Sequence, residues 1–426
     1  MASLAMFAAF IVMLAIGVPV AIALGGASML YVAADGSIPL LAVVHRMVGG
    51  TDSFPLLCIP FFVLAGLLMN TSGITGRIYE FAVALVGWMK GGLGHVNVVG
   101  SVIFAGMSGT AVADAAGLGT IEIKAMRDHG YDPEFAVGIT GASAILGPII
   151  PPSLPMVVYG ISANASIGQL FAAGIIPGLI IASSLMCMVG YFAHVRGYHR
   201  DAVFRGSVLW RATKRAFLPL MTPVLLIGGM RIGAFTPTEA AIAAVAYALF
   251  LGVVLYRTLS LKSLVKASLE AAEITAVIML ILAGSEIFGW IITTTKISDQ
   301  IVAAVLSITD TKWVILLLVN LFLLAVGLAM EPLPSMLILV PIMLPLMQAI
   351  GVDPVHFGII MVLNLCIGLL TPPVGIVLFI LARVANISFE RATRGALPFL
   401  IPLLFTLGLV TYWPGMVMYL PTLWYR

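Results

Sequence analysis

The sequence predicts an all-α polytopic membrane protein built from two repeats of inverted topology, each holding a re-entrant helical hairpin and a broken transmembrane helix. Three observations predict it. Hydrophobic residues make up 61% of the 426-residue chain and charged residues 9%, where soluble proteins carry about 25% charged. Glycine, proline and aspartate recur at one offset of 221 residues, in the pairs Gly106/Gly327, Asp132/Asp353, Pro133/Pro354, Gly147/Gly368, Pro151/Pro372, Pro152/Pro373, Gly174/Gly395 and Pro177/Pro398. Lysine and arginine gather on one side of the crossings that hydropathy suggests.

Nine apolar segments are expected to cross: 4–33, 53–73, 134–163, 168–194, 216–232, 237–257, 273–293, 355–384 and 392–420. The first is interrupted by Pro19 and has no basic leader or obvious cleavage site, so it reads as a spanning helix and not a signal peptide. Two further stretches, 95–128 and 313–350, carry their breakers in the middle, at Gly106 and Gly109 and at Gly327, Pro332 and Pro334. Each is long enough for two half-helices that enter and leave on one side. Such backbone is tolerated at membrane depth only where protein or a watery cavity satisfies it. The amphipathic pieces 76–90 and 296–309 read as interfacial arms bracing the hairpins, or else as short tilted crossings.

With a cytoplasmic N-terminus, 16 of the 21 cations fall inside, and Arg46, Arg231, Lys296, Lys312 and Arg426 stay outside. The C-terminus then ends on the periplasmic side. The expected division is a first repeat over 1–194, a basic segment and linking helix over 195–232, and a second, inverted repeat over 233–426. Duplicated halves with breaks at matching depth point to a secondary transporter, whose sites form where unwound backbone meets.

The chemistry concentrates at those breaks. At the first hairpin tip, Phe104–Asp114, small residues allow a sharp turn while Ser108 and Thr110 supply hydroxyls. It is expected to face Gly147-Pro148-Ile-Ile-Pro-Pro-Ser153, where Pro151 and Pro152 lack amide hydrogens and free upstream carbonyls. Bare carbonyls in apolar surroundings are costly unless something binds them, and a hard cation such as Na+ suits oxygen ligands. The second repeat offers Gly327–Ser335 and Gly368–Val374, with Asn364 one turn ahead of the break. Gly106, Pro148 and Asn364 thereby join the candidate sodium positions. For the cargo, the candidates are Ser108, Thr110, Ser153 and Glu331. Asp114 either marks an ion path or caps the returning half-helix. Half-helix N-termini after each break suit a carboxylate, so an organic anion is the expected cargo. Arg383 comes nearest to a midplane clamp but is expected at the cytoplasmic interface.

Several classes are excluded. No phosphate-binding loop ending in Gly-Lys-Ser/Thr occurs, and no nucleophile–base pair or metal set stands at depth, so the chain reads as no enzyme. Cys58, Cys187 and Cys366 lie singly in apolar segments and suggest neither metal nor disulfide. Nothing points to nucleic acid. A channel remains the rival, although its pores commonly arise between subunits, whereas these half-sites lie in one chain.

These residues resemble the large membrane subunit of tripartite ATP-independent periplasmic (TRAP) transporters over essentially the whole chain. The most specific pieces are Phe104–Asp114, Gly147–Ser153, Phe235-Thr-Pro-Thr-Glu239, Gly351-Val-Asp-Pro-Val-His-Phe357 and Thr371-Pro-Pro-Val-Gly375. The resemblance implies an elevator-type symporter of the bacterial inner membrane, moving C4-dicarboxylates or sialic acids inward with sodium. It implies a small four-helix membrane subunit and a periplasmic substrate-binding protein as partners; a symporter working without the binding protein is the alternative. It further implies sodium ligation by Ser108, Gly109, Gly147 and Ser153 and by Gly327, Gly368 and Thr371. Glu331 departs from the family pattern, where Asp often precedes Pro. The four-helix part seen in fused members does not occur in this sequence, so that subunit is expected as a separate polypeptide.

Overall fold

Glycine and proline set most helix boundaries in the computed structural model, which describes residues 2–36 and 38–425. Arg426, counted above among the outer cations, lies outside the described residues.

Helices α1 (Ala2–Ala15) and α2 (Val20–Asp35) replace the single crossing expected over 4–33. Gly17, at φ +86°, and Pro19 separate them. They fold back on each other. The Met13 side chain ends 3.4 Å from where a Cβ on Gly26 would stand. Phe7 and Phe10 both meet Phe288 while Leu24 sits at Gly284, one turn away on the same partner helix. At about 1.5 Å per residue each arm is roughly 21–24 Å long, short of the hydrocarbon thickness of about 30 Å.

α3 (Leu40–Thr51) follows Pro39, and a 3₁₀ turn over Phe54–Leu57 leads into α4 (Cys58–Thr71). α5 (Ile74–Val86) starts after Gly73, held at φ +70°. The first hairpin is α6 (Gly92–Ser108), then α7 (Ala111–Ala116) and α8 (Leu118–Asp128), its returning limb broken at Gly117. The 134–163 segment is broken as expected, into α9 (Pro133–Ala144) and α10 (Leu154–Ser162). Next come α11 (Ile167–Val195), α12 (Gly206–Arg231), and α13 (Pro237–Leu249), which continues through a π-turn over Phe250–Leu255.

α14 (Leu261–Thr294) runs 34 residues, extending twelve residues ahead of the expected 273–293. α15 (Ile297–Ile308) precedes the second hairpin, α16 (Lys312–Ala329) and α17 (Pro332–Ala349). Its limbs are 18 residues each and together occupy the expected stretch 313–350 to within one residue at either end. The second broken helix is α18 (Pro354–Gly368) and α19 (Ile376–Ala385). α20 (Phe389–Tyr412) and α21 (Pro414–Trp424) divide the 392–420 crossing at Trp413-Pro414. Among the described residues seven helices are long and apolar enough to cross a bilayer, including both limbs of the second hairpin.

Both hairpins bring their ends together. In the first, the Leu93 amide and the Tyr131 hydroxyl both donate to Asp201 Oδ2, at 2.9 and 2.5 Å. In the second, Lys312 Nζ donates to Gly351 O at 3.0 Å. The chain therefore reverses at each tip.

The halves interlock through glycine. A Cβ at Gly138 on α9 would lie 2.1 Å from Gly395 O on α20, and one at Gly395 2.0 Å from Glu134 O. Phe135, Phe192 and Phe399 fill the same contact with ring centroids 5.6–5.8 Å apart. Buried Tyr159 of α10 donates to Pro354 O at 2.6 Å, tying the first broken helix to the start of the second. Tyr159→Phe is expected to lower stability by about 1 kcal/mol, read as a lower melting temperature of the purified permease. Arg391→Ala, which removes the half-exposed pair with Glu134 at 2.8 Å, is expected to change it less. Equal effects would contradict this ranking.

Candidate cation and substrate site

The first tip is shaped by one left-handed residue. α6 ends at Ser108 because Gly109 turns the chain at φ +63°, and Thr110 then caps α7, its Oγ1 accepting the Ala113 amide at 3.2 Å. That cap belongs to Thr110 and not to Asp114, which lies in the first turn of α7. The tip rests on the break between α9 and α10. Leu154 N–H donates to Gly109 O at 3.2 Å. A Cβ at Gly109 would stand 2.8 Å from Pro152 O, and one at Gly147 2.8 Å from Thr110 O. Ser153 caps α10: its Oγ accepts the Met156 amide at 3.3 Å and donates to Pro148 O at 2.5 Å. Ser108 Oγ is buried and has no partner among the described residues.

Six predicted residues thus meet at one place: Ser108, Gly109, Thr110, Gly147, Pro148 and Ser153. Gly106 stands apart. It faces Pro223 of α12, which a Cβ there would approach to 2.8 Å, so its smallness serves helix packing.

At the second hairpin the closest approach is between helices α16 and α18. A Cβ at Gly368 would lie 2.2 Å from Gly327 O, and one at Gly327 3.2 Å from Leu365 O. The Asn364 amide donates to Asn320 Oδ1, Asn320 donates to Thr411 Oγ1 at 3.1 Å, and Asn364 Oδ1 has no partner among the described residues. Thr371 Oγ1 donates to Ile367 O at 2.8 Å. Glu331 takes the cap position of α17, the place that Thr110 takes on α7 at the 221-residue offset. Its carboxylate makes no cap hydrogen bond, it is exposed, and its backbone oxygen accepts the Ser335 hydroxyl at 2.7 Å. Chemically, each hairpin-and-break pairing presents carbonyl and hydroxyl oxygens, a set suited to a small hard cation and unsuited to bond-making chemistry.

Other polar features were not read from sequence. Ser143 Oγ donates to Asn97 Oδ1 at 2.6 Å, Asn97 donates to Thr140 Oγ1 at 2.6 Å, and Ser101 donates to Ser143 at 3.1 Å. Their spacing, three or four residues apart on two apolar helices, is the signal that could have paired them. A cavity of about 900 Å³ between α3, α10, α14 and α17 is lined by Arg46, Asn164, Glu286 and Gln348. Neither tip opens into it.

The described residues form an all-helical, multi-pass membrane protein whose hairpins abut broken helices, and the family model that matches it is one of transporter permeases, not enzymes. The chain belongs to the family described as tripartite ATP-independent periplasmic transporter, DctM component, whose model matches residues 7–416. It is 46% identical over 407 residues to the sialic acid TRAP transporter large permease protein SiaM of Vibrio cholerae, covering 96% of this chain and 95% of that one. It is 42% identical to the sialic acid TRAP transporter permease protein SiaT of Haemophilus influenzae, covering 97% of this chain and 67% of that one. With the C4-dicarboxylate TRAP transporter large permease protein DctM of Pseudomonas aeruginosa it shares 39% identity, over 93% of each chain. The crystal structure of the YdaH transporter of Alcanivorax borkumensis has the same fold, with a TM-score of 0.65 at 15% identity over 88% of this chain and 87% of that one.

Proposed function

We propose that the chain is the large permease of a sodium-coupled system that takes up an organic acid, of the sialic acid or C4-dicarboxylate class, across the bacterial inner membrane. The observation that carries this reading is the pairing of hairpin with break in both repeats: Gly109 O held by Leu154 N–H, and Gly368 seated on Gly327. One sodium binds at the first pairing, among Ser108, Gly109, Gly147, Pro148 and Ser153. A second binds among Gly327, Asn364, Gly368 and Thr371. The ions fix the tips, and the cargo carboxylate then meets Ser108, Thr110, Ser153 and Glu331.

The repeats, 1–194 and 233–426, lie inverted in the bilayer around the linking segment 195–232, with the N-terminus cytoplasmic and the C-terminus periplasmic. Both hairpins are re-entrant and travel with their broken helices as one body, in an elevator movement against the remaining helices. A small four-helix membrane subunit and a periplasmic binding protein complete the system. The names of SiaM, SiaT and DctM support the cargo class. More sodium charge than cargo charge makes uptake electrogenic, drawing about 2.3 kcal/mol per net charge from each 100 mV.

The test is uptake of radiolabelled sialic acid or succinate into proteoliposomes holding both membrane subunits, with the binding protein outside and an inward sodium gradient. Uptake of one of the two is expected, lost when the binding protein is left out. Equal uptake without the binding protein, or none of either acid, would contradict the reading.

A further inference from the structure

In the returning limb of the first hairpin, starting one turn past Thr110, two carboxyl groups are buried together. Asp114 on α7 and Glu122 on α8 are each 1% exposed. Asp114 Oδ2 and both oxygens of Glu122 find no hydrogen-bond partner among the described residues. The two acids lie within electrostatic reach of each other, and Ser101 of α6 lies within hydrogen-bond reach of Asp114. Room for Glu122 is left by Gly100, where a Cβ would stand 2.9 Å from Glu122 Oε1.

Among the described residues no cation pairs with either acid. The three ion pairs among the described residues all lie elsewhere. From the packed elements, α5 brings Tyr79 within electrostatic reach of Glu122, α4 brings Asn70 against Gly117, and α19 brings Leu381 against Gly119. On α8 itself Lys124 is exposed, and Arg127 donates to Ala385 O at 2.9 Å. His95 stands on α6 six residues before Ser101.

Double ionisation of two neighbouring carboxylates is strongly opposed in such surroundings, since each buried charge costs several kcal/mol without a partner. Paired acids meet this by sharing a proton. A metal ion is the poorer occupant, because no group of three acid, histidine or cysteine side chains that could hold one occurs among the described residues.

We propose that Asp114 and Glu122 form a proton-binding site in the first hairpin, distinct from the sodium positions at the tip. The pair takes one proton from water and returns it to water, so its charge is minus one when loaded and minus two when empty. The adjoining hydroxyls of Ser101 and Ser143, 3.1 Å apart, extend the site toward α9.

Infrared spectroscopy of the purified permease at neutral pH tests this without any cargo. The wild type is expected to show a carbonyl stretch from a protonated carboxyl, shifted in heavy water, that Glu122→Gln removes or displaces. Asp114→Asn serves as the second variant, expected to move the same band through its neighbour. No such band in the wild type, or a band that neither variant alters, would overturn the proposal. Melting of the same samples with sodium or potassium reports separately on the sodium reading.

Discussion

Sodium-driven uptake by a complex carrying Gly109→Ala falls at least tenfold, with membrane insertion unchanged. Gly109 is held at φ +63°, where an L-residue with a side chain costs about 1–2 kcal/mol. The added methyl would also press to within 2.8 Å of Pro152 O, and such overpacking costs about 1–3 kcal/mol. Both penalties fall on the closed tip and its hydrogen bond from Leu154. Tenfold corresponds to about 1.4 kcal/mol, less than the two penalties supply together. Sodium concentration–rate curves measure it, and a variant with wild-type sodium dependence would remove the first tip from the site.

Gly368→Ala has the larger expected effect. Its Cβ would meet Gly327 O, C and Cα at 2.2, 2.3 and 2.7 Å. These are backbone atoms, so α16 must move as a body and cannot yield by a rotamer change. Loss of both uptake and thermal stability is expected, with uptake falling more than in Gly109→Ala. Gly228→Ala on α12, where no atom lies within 4 Å of the added carbon, is the control and should match wild type.

Breaks were more legible than lengths. The recurring Gly and Pro located both broken helices and both chain reversals, because those residue types alter the backbone locally whatever surrounds them. Hydropathy averaged across Gly17–Pro19 merged α1 with α2, and across Trp413-Pro414 it merged α20 with α21. The start of α14 was hidden by Lys262, Lys266 and Glu270, which mark where apolar character ends and not where the helix does.

At the site, the six residues around Gly109 were readable as tip and break. Gly106 was misleading, since its neighbour Pro223 lies over a hundred residues away and close packing leaves no local mark. Glu122 escaped for a related reason. Between Ile121 and Ile123, with Lys124 and Arg127 following, it looks like one charge on a solvated helix face, and only tertiary packing against Gly100 buries it.

The central claim is that each hairpin tip and its break close around a sodium ion. Thermal melting of the purified permease, titrated with sodium chloride against potassium chloride at constant ionic strength, tests it most directly, because a ligand at free concentration L held only by the folded state stabilises it by RT ln(1 + L/Kd). A sodium-specific rise is expected, reduced by Gly109→Ala and by Gly368→Ala singly and abolished when the two are combined. Equal melting in potassium, or a full sodium response in the double variant, would contradict the account.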